Sequence, residues 1–176
     1  MKELLIAGLL LVLATLGFSQ PDRHPDEFAD SREGVEEMLA YLLTASRKER
    51  AMFTEELRPT KEECELLFEP AVAKKVYRYQ RRLQRQTRIV VQPLLKSQTE
   101  LLIWAASSAE LSSYQGEARF FPGGYHELAE FLKPGFVFYR FKFIQPGRKL
   151  GSAYDVLVHV NGHWRLIHRP WTVLVE

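Results

Sequence analysis

Acidic and imidazole side chains occur together near the C-terminus, between Asp155 and His168. An aspartate beside a histidine can orient the imidazole and tune its pKa, as general acid–base catalysis requires. Asp155, His159 and His168 are therefore the candidate catalytic residues of this chain. Whether they can act together depends on the backbone that positions them.

The stretch 136–171 predicts three successive antiparallel strands that would carry these residues. Its clearest signal is Asn161-Gly162, which separates two β-rich runs, 154–160 and 163–168. Asn and Gly accept the positive φ that a two-residue hairpin turn requires. The turn fixes a register in which His159 faces Trp164, Leu157 faces Leu166 and Asp155 faces His168. Directly opposed residues share one face of a sheet, so this register predicts an Asp155–His168 pair.

Aromatic and apolar side chains of the predicted sheet would line a ligand pocket. Its expected lining residues are Tyr139, Phe141, Leu157, His159, Trp164 and Leu166. The sequence predicts no metal site, because the spacings of His159, His163 and His168 are four and five residues, which cannot place all three on one strand face. It contains no phosphate-binding loop or nucleophile motif, and we predict no cofactor.

Charge is distributed unevenly along the chain, although the net charge is only +2. Residues 21–70 contain 14 acidic and 7 basic residues, whereas residues 71–176 contain 7 and 16. The simpler interpretation is that the two halves attract each other within one fold. The alternative is a surface that binds polyanions.

A predicted helix at 71–86 concentrates the positive charge without any acidic residue. The candidate polyanion-binding residues are Lys74, Arg78, Arg81, Arg82 and Arg85. This face can bind phosphate-rich polymers or anionic lipid headgroups, or it can be a solvated face partly paired with the acidic half. Few aromatic residues lie among the cations, so the base-stacking pattern of single-strand nucleic-acid binding is missing, and we predict no nucleic-acid partner.

Residues 1–19 have the pattern of a secretory signal peptide. A charged start precedes an apolar run from Leu4 to Phe18, and Gly17 and Ser19 suit cleavage before Gln20. An uncleaved anchor is the alternative, although 15 apolar residues are short for a span. We therefore expect a secreted or periplasmic bacterial protein, with a linker at 20–30 and one domain at 31–176. Its single cysteine excludes an intramolecular disulfide.

The remaining elements follow from periodicity, capping residues and turns. Predicted helices cover 31–45, 48–57, 60–68, 71–86 and 125–132, and predicted strands cover 100–106 and 117–121, before the C-terminal sheet. Met52 and Leu66 are expected to face the core. Helices followed by an antiparallel sheet indicate an α+β fold.

The residues YDVLVHVNGHWRLIHRPW (154–171) and FPGGYHELAEFLKPG (121–135) resemble the NTF2-like superfamily, in particular uncharacterised exported bacterial proteins. The resemblance implies N-terminal helices packed on a curved antiparallel sheet, with a pocket inside the cone. It also implies a homodimer, because such sheets often pair back to back. The superfamily includes isomerases, dehydratases and binding modules, so fold alone does not supply an activity.

Three functional hypotheses follow. We interpret the chain foremost as a non-enzymatic exported domain that binds a small ligand or a protein. The first alternative is a pocket enzyme, similar to an isomerase or hydrolase, that uses an Asp–His pair. The second is envelope or polyanion association through the basic helix at 74–88, with membrane contact only through the signal peptide or weak electrostatics.

Overall fold

The computed structural model describes residues 23–175, so the predicted signal peptide lies outside the described residues. Six α-helices are present in this range: α1 (Arg32–Thr44), α2 (Arg47–Glu56), α3 (Lys61–Leu67), α4 (Pro70–Gln86), α5 (Ser108–Ser113) and α6 (Gly124–Leu128). Four strands are present: β1 (Glu100–Ser107), β2 (Val137–Ile144), β3 (Gly151–Val160) and β4 (His163–Leu166). The α+β prediction is confirmed. Among the described residues, no helix is both long and apolar enough to span a membrane.

Side-chain caps fix the starts of the first three helices. Ser31 Oγ accepts a hydrogen bond from the Gly34 backbone N–H at 3.1 Å and begins α1. The capping box predicted at Thr60 and Glu63 begins α3, and a second capping box begins α2. Each cap satisfies backbone donors that have no partner inside the helix. The helices therefore begin where local sequence chemistry dictates.

The four strands form one antiparallel sheet in the order β1-β2-β3-β4. Asn161 and Gly162 join β3 to β4 with φ values of 53° and 82°, as the predicted hairpin turn requires. The predicted pairs His159–Trp164 and Leu157–Leu166 are confirmed. The first strand covers the predicted apolar run at 100–106.

A bulge at Val156 overturns the predicted pairing of Asp155 with His168. The register shifts so that Tyr139 pairs with Leu157 but Arg140 pairs with Asp155. Val156 is the extra residue, with φ of 58°, which is rare for a β-branched side chain. Asp155 consequently shares a face with Arg140 and not with Leu157. β4 ends at Leu166, two residues before His168.

Both faces of the sheet are buried, and each belongs to a separate hydrophobic core. The first core joins Phe138 and Val158 to side chains from α3 to α6. The second core joins Tyr139, Leu157 and Trp164 to side chains from α1 and α2. The sheet is therefore the middle layer between two groups of helices.

Three local predictions were wrong. Residues 117–121 are not a strand, because a 3₁₀ turn covers Gly116–Phe120. Met52 and Leu66 are 46% and 45% exposed, while their neighbours Phe53 and Leu67 are buried in the cores. Each helix buries only one stripe, and adjacent apolar residues lie about 100° apart around the helix, so one of each pair remains outside.

The described part of the predicted linker, residues 23–30, packs against the domain. Phe28 is buried in the second core, and its carbonyl accepts a hydrogen bond from Trp164 Nε1 at 3.0 Å. Asp26 lies 2.6 Å from His163 Nδ1 and also accepts from the Trp164 backbone N–H at 3.2 Å. These contacts attach residues 23–30 to the β3–β4 hairpin.

A buried ion pair connects α3 to β4. Arg165 Nε lies 2.7 Å from Glu63 Oε2, and their side chains are 11% and 3% exposed. The same carboxylate oxygen accepts a hydrogen bond from the Thr60 backbone N–H at 2.8 Å. Glu63 therefore caps its helix and neutralises a cation of the sheet.

Glu63→Ala is expected to lower the free energy of unfolding by about 3 kcal/mol, since removing one partner leaves a buried charge without compensation. The measurement is urea denaturation. The matched control is Glu65→Ala on the same helix, because Glu65 forms only an exposed pair with Lys61 and should cost less than about 1 kcal/mol. Equal losses in the two variants would show that the Glu63–Arg165 pair is not a structural connection.

Candidate functional site

The cations predicted to bind polyanions line one surface groove, which we call the α4 groove. Its volume is about 650 Å³. The lining residues are Lys61, Lys74, Tyr77, Arg78, Arg81, Arg82, Arg85 and Gln86. All five predicted residues are present, and no acidic residue is in this set. Sequence reasoning missed Lys61, which belongs to α3 and joins the groove through tertiary packing.

The amphipathic pattern of α4 explains why these side chains reach solvent together. Val72 and Val76 are buried in the first core. Residues 74, 78, 81 and 85 are three or four positions apart, so they project from one helix face. The burial of one stripe therefore holds the cations outside, along about 16 Å of helix axis from residue 74 to residue 85.

The acidic half of the chain pairs with Lys61 of this surface, through Glu65 at 3.2 Å, but among the described residues it leaves most cations of α4 unpaired. Within residues 23–175, no carboxylate forms an ion pair with Lys74, Lys75, Arg78, Arg81 or Arg85. The acids pair elsewhere, as Glu63 does with Arg165. These five cations of the basic helix are exposed, so their positive potential faces solvent.

Tyrosine rings help to position two of the arginines. The guanidinium carbon of Arg81 lies 5.9 Å from the centroid of the Tyr77 ring, and that of Arg82 lies 5.6 Å from the Tyr79 ring. A cation over an aromatic face is attracted by the ring quadrupole. Arginine also presents a planar fork of donors that matches phosphate and carboxylate oxygens. The groove thus offers partly ordered donors to an anion.

A second basic groove, the α2 groove, is lined by residues of α2 and by residues that follow α4 in the chain. Its volume is about 630 Å³, and its lining residues are Arg47, Lys48, Ala51, Met52, Glu55, Arg88, Val90 and Gln92. Gln86 lines the α4 groove and Arg88 lines the α2 groove, so the two linings include residues only two positions apart, at the C-terminus of α4. Of the described residues that line the α2 groove, Glu55 alone is acidic, and it is paired with Arg58.

The residues predicted to line a ligand pocket lie in the second core. Tyr139, Phe141, Leu157, Trp164 and Leu166 are all buried there against side chains of α1 and α2. Leu166 also borders a space of about 30 Å³, far below the 300 Å³ or more of typical ligand sites. The two basic grooves are lined by other residues.

His159, the sixth predicted pocket residue, is occupied by an ion pair. Its Nδ1 lies 3.1 Å from Asp30 Oδ2, and its ring packs against the edge of Trp164 with centroids 5.1 Å apart. Its partner comes from the segment that precedes α1, far away in sequence. Sequence reasoning could not assign this pair, because local patterns carry no information on that contact.

Asp155 is held by Arg140 and not by His168. Arg140 Nε lies 2.9 Å from Asp155 Oδ1, and both side chains are mostly buried. The Arg140 guanidinium lies over the Trp104 ring at 5.5 Å and also donates to the Phe120 carbonyl. The carboxylate is therefore neutralised by a cation, and it forms no hydrogen bond with His168 among the described residues.

Two buried polar atoms near Asp155 have no hydrogen-bond partner within residues 23–175: Tyr125 Oη and His168 Nδ1. Burial raises the pKa of Tyr125 well above its usual value, and the charge of Asp155 acts in the same direction. Burial lowers the pKa of His168, although the charge of Asp155 opposes this effect. Both groups are consequently held in their neutral forms.

Cysteine and metal chemistry have little basis in the described residues. Cys64 is buried, and burial together with Glu63 raises the pKa of its thiol to about 12, so the thiol stays protonated. No group of three or more His, Cys, Asp or Glu side chains in residues 23–175 is arranged to hold a metal ion.

Comparison of the chain with protein-family models, curated proteins and solved structures gives no match. The functional argument consequently depends on the geometry of this chain alone.

Tyr125→Phe is expected to raise the free energy of unfolding by about 1 kcal/mol, because it removes a buried hydroxyl that has no partner. Tyr154→Phe is the matched control and should lower it by about 1 kcal/mol, since Tyr154 Oη lies 2.9 Å from the carbonyls of both Val90 and Gln92. Urea denaturation measures both. A clear loss of stability in Tyr125→Phe would contradict the unpartnered state of that hydroxyl.

His168→Asn is expected to remove part of the acid sensitivity of the fold. The folded-state pKa of His168 is lowered, so the unfolded chain binds the proton more readily. Above about pH 6.5, His168 is neutral in both the folded and the unfolded chain, so it does not change the stability. As the pH falls from there towards the lower folded-state pKa, the unfolded chain binds the proton first and the fold loses stability. Unfolding free energies at about pH 7.5 and about pH 5 should differ less in the variant than in the wild type. An unchanged difference would refute a neutral buried His168.

Proposed function

We propose that this protein binds a polyanion through the α4 groove. The observation that carries the proposal is the convergence of six cations on one concave surface whose lining, within residues 23–175, includes no acidic residue. Anionic oxygens of phosphate, sulfate or carboxylate groups suit such a surface, because several guanidinium groups can donate to them at once. The predicted signal peptide would place this interaction outside the cytoplasm.

The cations of α4 repel one another and lower the stability of the helix, and this loss of stability supports a functional role. Arg78 has three cationic neighbours three or four positions away on α4 that form no ion pair among the described residues: Lys74, Lys75 and Arg81. Each like-charge pair at this spacing destabilises a helix by about 0.2–0.5 kcal/mol. A bound polyanion would relieve that repulsion. Sites that sacrifice stability in this way are commonly sites of function.

The other two functions proposed from the sequence have less geometric support. A ligand pocket lined by Tyr139, Phe141 and Trp164 would need space in a core that these side chains fill. Acid–base catalysis by Asp155 and His168 would need a hydrogen bond between them, whereas Asp155 bonds to Arg140. We retain the NTF2-like cone, export and a homodimer as proposals compatible with an α+β fold.

Arg78→Glu is expected to weaken binding of inorganic polyphosphate by about tenfold, because it replaces a central cation by an anion. The same variant should raise the free energy of unfolding by about 1 kcal/mol, since it converts the repulsive pairs with Lys74, Lys75 and Arg81 into attractive ones. Binding is measured by isothermal titration calorimetry at low salt, and stability by urea denaturation.

The matched control is Lys149→Glu, which makes the same change in net charge at an exposed position in the connection between β2 and β3. It should leave polyphosphate binding within about twofold of the wild type. If both variants lose affinity equally, binding follows net charge and not the groove. If the wild type binds no polyphosphate and no heparin at low salt, the proposed function is wrong.

A further inference from the structure

We infer that the α4 and α2 grooves form one continuous binding track for a linear phosphate polymer. This inference depends on the proposed function, and it adds a second set of binding residues: Arg47, Lys48 and Arg88. It also narrows the ligand from any polyanion to an extended chain. Three features of the described residues carry the inference.

The first feature is continuity. In chain order, the last residue that lines the α4 groove is Gln86, and Arg88 lines the α2 groove. The exposed residue Thr87 lies between them. Thr87 has an extended backbone, so Gln86 and Arg88 are separated by at most about 7 Å. Thr87 is polar and exposed, so the residue between these two lining positions is neither apolar nor acidic.

The second feature is the charge of the α2 groove. Within residues 23–175, no carboxylate forms an ion pair with Arg47, Lys48 or Arg88. The one acid in the lining, Glu55, is already paired with Arg58. The α2 groove consequently carries an uncompensated positive charge that the α4 groove alone does not explain.

The third feature is shape. The cations of each groove line a concave space of roughly equal volume, about 650 and about 630 Å³. A bilayer presents a broad and nearly flat layer of headgroups, which cannot enter a concave groove. A compact anion would occupy a fraction of one groove and leave the other unused. A flexible linear chain with regularly spaced charges fits both.

The aromatic content of the track argues against nucleic acid. Among the described residues, Tyr77 is the only aromatic residue in the lining of either groove, so these linings offer successive bases no series of rings on which to stack. The repeating feature along the track is arginine and lysine, which recognises the charged backbone of the polymer.

Titration of the whole protein with tripolyphosphate and with long-chain polyphosphate tests the inference, with Arg47→Gln/Lys48→Gln as the variant. Both residues are exposed at the start of α2, and neither makes the capping contacts of Ser46 and Glu49. The control is Arg148→Gln/Lys149→Gln, which removes two exposed cations in the connection between β2 and β3. Circular dichroism checks that all variants are folded.

We expect the wild type to bind long-chain polyphosphate more tightly than tripolyphosphate at equal phosphate concentration. The Arg47→Gln/Lys48→Gln variant should lose about tenfold in affinity for the long chain and less than about twofold for tripolyphosphate. The control variant should bind both like the wild type. This combination would establish that the α2 groove is reached only by an extended ligand.

Two kinds of result would overturn the inference, and they differ from failure of the proposed function. Loss of binding on Arg78→Glu with no effect of Arg47→Gln/Lys48→Gln would confine the site to the α4 groove. Tighter binding to phosphatidylglycerol vesicles or to a single-stranded oligonucleotide than to polyphosphate, at equal phosphate concentration, would assign another class of ligand. If the wild type binds none of these probes, the proposed function itself fails.

Discussion

The central constraint on this fold is that its sheet buries side chains on both faces. Phe138 and Val158 pack into the first core while Tyr139 and Leu157 pack into the second. A polar group on such a sheet has little access to bulk water, so a partner within the protein lowers the cost of its burial. Arg140 with Asp155 and Arg165 with Glu63 meet that requirement through ion pairs. The Asp155 carboxylate is committed to this structural pair.

The same constraint separates structure from function in space. Among the groups that would suit acid–base chemistry, Asp155 is paired with Arg140, and His168 is buried without a partner for its Nδ1 among the described residues. By contrast, α4 uses one stripe for the first core and directs its cations to solvent. Charge on a solvated helix can be optimised for a ligand without disturbing core packing. The strongest candidate for function is therefore an outer surface, although the most conspicuous sequence pattern is in the sheet.

Local sequence patterns predicted much of the fold because the forces involved act over a few residues. The capping pair Thr60 and Glu63, the Asn161-Gly162 turn and the cationic pattern of α4 each operate within one turn of chain, and each is confirmed. The bulge was not predictable, because Val156 adopts a conformation that its own side chain disfavours, and only the surrounding packing can hold it there. The partners of His159 and Arg165, and the entry of Lys61 into the α4 groove, depend on contacts between distant parts of the chain. Periodicity contains no information about such contacts.

Residues 23–30 bind to β4, the last strand, so the domain can finish folding only after β4 has been synthesised. Trp164 receives hydrogen-bonding partners from Asp26 and Phe28, which precede it by 138 and 136 residues. During synthesis, these N-terminal residues emerge long before the strand that binds them, and Phe28 has no Trp164 indole to contact until β4 exists. Contacts of such long sequence separation are slow to form and come late in folding. A chain truncated before β4 would therefore lack the contacts that hold residues 23–30. A growing chain exposes the apolar surface of the second core until the β3–β4 hairpin forms.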